Sequence, residues 1–119
     1  MPDRVVLGIG ASGSATVQQC VDACRSVTSP EFVVVSIATL DTKAELVGAV
    51  AREFGVPLTL WTAAQLNDVE VPNPSTRVLD EVGSPSVAEA AAVRAGGGRL
   101  LVGKTIVGSV TVALACAID

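Results

Sequence analysis

The groups able to bind or move charge in this sequence fall where apolar runs give way to polar residues. Gly8-Ile9-Gly10-Ala11-Ser12-Gly13 follows the apolar run at 5–9 and precedes a helical pattern. Glycines there let backbone approach a ligand, and N–H groups at a helix start favour an anion. The spacing matches the G-x-G-x-x-G dinucleotide fingerprint, so Gly8, Gly10 and Gly13 support a nucleotide-binding alternative. That fingerprint also wants an acid ending the second strand, about 20 residues on. Ser36, Ile37 and Ala38 stand there, and the first acid, Asp41, comes later. A general anion-binding turn or a close-packing turn would use the same glycines.

Asp41-Thr42-Lys43-Ala44-Glu45 marks a second strand-to-helix junction, the place where open α/β sheets bind ligands. Asp41 or Thr42 could instead cap the helix while Lys43 points to water. Ser86-Val87-Ala88-Glu89 has the spacing of a capping box, and Glu89 and Asp41 are the two candidate general bases. Pro72-Asn73-Pro74-Ser75 is a rigid lead into a helix or a placed polar contact. Lys104 lies beyond an apolar run in a segment read as a loop, where an ammonium could meet a carboxylate or phosphate. Thr111 lies in the last apolar run and could face either side.

Other chemistry is excluded. The 119 residues contain no histidine, which removes Ser-His-Asp and Cys-His catalysis. Cys20, Cys24 and Cys116 neither form a disulfide framework nor supply the four ligands a zinc site wants. They read as small core residues, with no metal and no cofactor expected. The net charge of −4 and eight scattered basic residues argue against a nucleic-acid partner, because phosphate neutralisation needs clustered cations. No apolar run approaches the roughly 20 residues of a membrane span, and the first residues do not read as a signal peptide. The expectation is a cytoplasmic protein with no membrane contact.

The elements that must position these groups alternate. Residues 5–9, 32–37, 57–60, 99–102 and 110–117 read as strands, the last two an antiparallel pair joined by a loop of about seven residues. Residues 13–26, 42–54, 75–82 and 86–95 read as helices, with a short one starting at the Thr62–Gln65 capping box. Gly55 suits a left-handed helix end, and Gly96-Gly97-Gly98 ends the last helix. Half the residues are hydrophobic, but only Phe32, Phe54 and Trp61 are aromatic, so Val, Ala, Leu and Ile must build the core. Strands that are nearly all apolar indicate an α/β fold whose sheet is covered on both faces. The length fits a single domain spanning 1–119.

Taken in order, Gly8-x-Gly10, Ala38-Thr39-Leu40-Asp41-x-Lys43, Val71-Pro72-Asn73-Pro74-Ser75, Val82-Gly83-Ser84-Pro85-Ser86-Val87-Ala88-Glu89-Ala90-Ala91-Ala92, Leu101-Val102-x-Lys104 and Thr111-Val112-Ala113-Leu114-Ala115 resemble the CobE/CbiG C-terminal-domain family of cobalamin (vitamin B12) biosynthesis. The resemblance covers nearly the whole chain. It implies a three-layer α/β/α sandwich with a mixed, mostly parallel sheet of about five strands. It also implies action on a precorrin or cobalt-precorrin intermediate, as carrier or accessory to ring modification, alongside other enzymes of the pathway. Longer members of this kind are cobalt-precorrin-5A hydrolases, which open a lactone and release acetaldehyde, and that activity is the enzymatic alternative. Two positions depart from the family's pattern. Ala11 stands where many relatives carry Cys, and Lys43-Ala44-Glu45-Leu46 is shorter than the usual Lys-x-Asp-Glu-Pro-Gly.

Precorrins carry acetate and propionate arms around an apolar ring. A site for them wants a floor of small residues, helix starts and a few lysines. Gly10, Ala11, Ser12, Gly13, Lys43, Asn73, Ser75, Ser86, Val87, Lys104 and Thr111 are the expected binding residues, lining one cleft at the C-terminal edge of the sheet.

Overall fold

A computed structural model of the protein describes residues 3–67 and 87–117. Their order is β1 (Asp3–Ala11), α1 (Val17–Val27), β2 (Phe32–Leu40), a single 3₁₀ turn (Asp41–Lys43), α2 (Ala44–Phe54), β3 (Leu58–Trp61), α3 (Ala63–Asn67), α4 (Val87–Gly96), β4 (Gly97–Val107) and β5 (Val110–Ala117). The Pro-Asn-Pro-Ser segment and the helix expected at 75–82 lie outside the described residues.

The strands form one sheet in the order β3-β2-β1-β5-β4. β1 pairs in parallel with β2, and β2 with β3; β5 pairs antiparallel with both β1 and β4. β5 alone therefore runs against the others, so the sheet is mixed with four strands sharing one direction. β1, β2, β3 and β4 all end at one edge.

Alternation along β1 creates the three layers. Val5, Leu7 and Ile9 pack with Cys20, Cys24, Val47 and Val50 of α1 and α2. Val6 turns the other way, toward Leu66 of α3 and Ala90 and Ala91 of α4. Ala113 and Ala115 of β5 meet Ala88 and Ala92 on that same side. In β2 the register slips by one residue opposite Val5 and Val6. The slip lets Val34 and Ile37, an odd step apart, both face the α1/α2 layer. Thr39, fully buried, donates its hydroxyl to the Ile9 carbonyl at 2.7 Å, which ties the ends of β1 and β2 together.

α4 determines which residues the sheet may carry beneath it. Ala88, Glu89, Ala90, Ala91 and Ala92 are all buried. A Cβ added at Gly8 would collide with the Ala88 carbonyl and come within 2.7 Å of the Ala92 nitrogen, and one at Gly96 would come within 2.8 Å of the Cys116 oxygen. The helix backbone therefore rests on the sheet with nothing between, which requires glycine at these contacts.

Local signals set most of the boundaries. At the start of α1, Thr16 Oγ1 accepts from the Gln19 N–H at 3.1 Å and the Thr16 N–H donates to Gln19 Oε1 at 2.9 Å. This capping box starts the helix at Val17 rather than Gly13. The expected Thr62–Gln65 box forms, with bonds of 2.9 and 3.2 Å. Gly55 ends α2 at φ 67°. Neither Asp41 nor Thr42 caps α2; both occupy the exposed 3₁₀ turn, and the residue preceding α2 is Lys43, with no side-chain cap. The seven-residue loop expected before the last strand is also absent. β4 continues to Val107, and Gly108, at φ 60°, and Ser109 make the turn. The apolar run stops at Val102, but an edge strand tolerates the polar residues that follow.

Gly8→Ala should lower stability by about 3 kcal/mol, the upper end for overpacking, because its new methyl meets backbone. Gly13 has open space around its Cβ position and no left-handed φ, so Gly13→Ala should change stability by under about 0.5 kcal/mol. Urea denaturation of both variants checks the contrast.

Candidate functional site

On the α1/α2 side, beyond the ends of β1 and β2, lies an open groove of about 510 Å³, a volume typical of ligand sites. Ser12, Gly13, Lys43, Thr42, Glu45 and Arg52 are among the residues lining it. The Ser12 N–H donates to the Ser109 carbonyl at 3.0 Å, anchoring the β1–α1 loop to the β4–β5 turn. Ser12 Oγ and Ser14 Oγ are 3.2 Å apart. Lys43 is half-buried in the 3₁₀ turn. Two cations, two hydroxyls and one carboxylate thus line a common space, a set that suits a ligand bearing carboxylates more than one bearing cations. Thr42, Glu45 and Arg52 are additions to the residues expected from sequence. With Ala49, which also lines the groove, they recur at helical spacing, and that stripe is the sequence signal that marks them.

Other expected residues gather on the opposite side of the same edge. Gly10 lies under the start of α4, its Cβ position 3.4 Å from the Val87 Cβ. Thr111 pairs with Gly10 in the β1–β5 register. Lys104 lies within β4 rather than in a loop, and its backbone N–H donates to Glu89 Oε2 at 2.8 Å. Glu89 is fully buried. Asp41 is exposed. Ala11 ends β1, partly buried against the α1/α2 core. The end of β1 therefore separates a group formed by Ser12, Gly13 and Lys43 from one formed by Gly10, Val87, Thr111 and Glu89, the latter tied to the Lys104 backbone. Asn73, Ser75 and Ser86 lie outside the described residues, as does the Ser86 half of the expected capping box.

The glycine pattern resolves on the same geometry. Gly8 and Gly10 are strand residues beneath α4, and only Gly13 lies in the loop before α1. The first two glycines of a dinucleotide fingerprint would instead shape the turn against pyrophosphate. Here they serve close packing, and the Thr16–Gln19 box takes up groups at the α1 start that an anion would seek.

The thiols of Cys20 and Cys24 are buried in the core. Burial, reinforced by the neighbouring Cys20, pushes Cys24 up to about 12. Burial also raises Cys20, with the Lys43 charge pulling the other way. Lys43 is thus near enough to α1 to be felt there. Among the described residues no group of three or more His, Cys, Asp or Glu could hold a metal ion, and no helix is long and apolar enough to cross a membrane.

A three-layer α/β/α domain with an antiparallel strand pair at one side and a ligand-sized groove at the strand ends defines the class. Residues 5–115 match the family model for the cobalamin synthesis G C-terminus, and the chain belongs to that family. Its structure is similar to that of CobE, a protein from the cobalamin (vitamin B12) biosynthetic pathway. The two share 28% identity over 99% of this chain and 93% of that one, with a TM-score of 0.76. It is also similar to cobalamin biosynthesis protein chiG from Agrobacterium tumefaciens str. C58, at 32% identity over 97% and 99% of the two chains and a TM-score of 0.73. A protein described as a cobalamin biosynthesis protein G homolog from Sulfolobus solfataricus gives 25% identity and a TM-score of 0.76 over all of this chain and 38% of that one. No curated protein matches the sequence. The domain is a cobalamin biosynthesis protein of the CbiG/CobE type.

The raised Cys24 gives a pH dependence of stability. A thiol held protonated in the folded state and free to ionise near its ordinary value of 9.0 when unfolded contributes stability that is complete below pH 9 and is lost toward pH 12. The slope is about 1.4 kcal/mol per pH unit for one such group. Urea denaturation between pH 8 and pH 10 should show this fall, and Cys24→Ala should reduce it, leaving the part that the raised Cys20 contributes.

Proposed function

We propose that this domain binds a precorrin or cobalt-precorrin intermediate at the C-terminal edge of its sheet and passes it, chemically unchanged, to other enzymes of the pathway in the cytoplasm. The observation that carries this reading is the groove in which Ser12, Gly13, Lys43 and Arg52 meet. Lysine and arginine there suit acetate and propionate arms, because charge-assisted hydrogen bonds to carboxylates are roughly twice as strong as neutral ones. The apolar ring would lie over small residues at the strand ends.

The carrier reading is favoured over hydrolysis by the state of the two carboxylates offered as bases. Glu89 is buried and accepts from the Lys104 backbone N–H, while Asp41 is exposed on the 3₁₀ turn. A general base must reach the water it activates within hydrogen-bond distance of bound substrate. Ala11 supplies no thiol as an alternative nucleophile.

Incubation of the purified protein with a precorrin-5A-type lactone separates the readings. Pigment that co-elutes with the protein unchanged supports the carrier, whereas acetaldehyde release would replace it with the hydrolase. Lys43→Ala should weaken binding by about tenfold or more, the scale of one lost charged hydrogen bond. Unchanged affinity in that variant, measured by absorbance titration, would remove the groove from the site.

A further inference from the structure

Glu89 is the one fully buried charged side chain among the described residues. It sits in the first turn of α4, where the positive end of the helix dipole favours a carboxylate. Its partner in β4 lies at an irregularity. Val102 pairs with Leu114 and Thr105 with Val112, so Gly103 and Lys104 together oppose Ala113 alone. This two-against-one arrangement is a β-bulge, which breaks the hydrogen-bond ladder locally and re-aims a side chain. Glu89 Oε2 takes up the Lys104 N–H at 2.8 Å at that point. The same turn of α4 carries Val87, against the Gly10 position of β1. One carboxylate therefore links the helix start to the backbone of the second expected lysine.

We infer that Glu89 is a positioning residue: its carboxylate holds the β4 bulge that aims Lys104, making the Lys104 ammonium a second contact for a carboxylate arm of the ligand. The inference rests on the precorrin-binding reading and deepens it. Lys43 lies in the 3₁₀ turn beyond β2, and Lys104 lies in β4 at the level of Gly8, three residues before β1 ends. Glu89 then acts through Lys104 rather than on the ligand, which explains how a carboxylate can belong to a site for polyanions without repelling them.

The test uses uroporphyrin I, an octacarboxylate tetrapyrrole, with binding followed by fluorescence quenching. Lys104→Ala should weaken binding by about tenfold, and Glu89→Ala by a similar factor. The double variant should bind no more weakly than Lys104→Ala alone, because the two residues act as one unit. Glu89→Gln keeps a carbonyl that accepts from the Lys104 N–H and should remain within about threefold of wild type. Wild-type binding with Glu89→Ala unaffected overturns the positioning role alone, as does a Glu89→Gln loss equal to that of Lys104→Ala. No binding by the wild type overturns the precorrin reading and the role of Lys104 with it. If Glu89→Ala does not fold, Glu89→Gln decides the matter. Near-native binding with the Lys104 amide still protected from hydrogen exchange upholds the inference, and near-native binding with that protection lost overturns it.

Discussion

The contact between α4 and β1 at Gly8 is the constraint on which this structure depends. Helix and strand meet there backbone to backbone, with the Ala88 carbonyl occupying the space a Cβ would need. An approach that close excludes large side chains along the shared surface, and Ala88 and Ala92 with Ala113 and Ala115 below them satisfy the condition. Small residues contribute little apolar area each, so the compensating burial comes from the other layer. There Val5, Leu7, Ile9, Ile37, Val110, Val112 and Leu114 meet α1 and α2. One face of the sheet supplies the bulk of the core and the other supplies proximity.

That proximity brings the first turn of α4 against the upper end of the sheet. With α4 seated on Gly8, Val87 reaches Gly10 and Glu89 reaches the bulge in β4. A longer side chain at position 8 would lift the helix and separate the Glu89 carboxylate from the Lys104 N–H. On the opposite side, the 3₁₀ turn after β2 and the β1–α1 loop are held by the Thr39–Ile9 and Ser12–Ser109 hydrogen bonds. The two halves of the candidate site are thus built by different means, one by close packing and the other by hydrogen-bonded loops.

Legibility from sequence followed the range of the interaction involved. The Thr62–Gln65 box and the left-handed Gly55 were readable because a side chain or a φ value decides them within four residues. The apolar runs of β1, β2 and β5 were readable because strands covered on both faces need no polar positions. The continuation of β4 through Gly103-Lys104-Thr105 was not, because an edge strand mixes polar and apolar residues as a loop does. The groove was half legible: Ser12, Gly13 and Lys43 stood out at strand ends, while Arg52 sits in the last turn of α2 and joins them only by the packing of that helix.

The sequence by itself determined the class of fold, the absence of imidazole chemistry and, through its ordered motifs, the cobalamin biosynthesis family. The first two depend on composition and periodicity along the chain, and the third on the resemblance of its ordered motifs to that family. Only the tertiary structure decided what the glycines and the buried acid are for. Gly8 and Gly10 look alike in a phosphate turn and in a packed strand until the element above them is known. Glu89 looks like a surface cap until β4, fifteen residues on, supplies the N–H that it holds. Both answers are contacts between segments distant in sequence, and no local pattern encodes which segment will arrive.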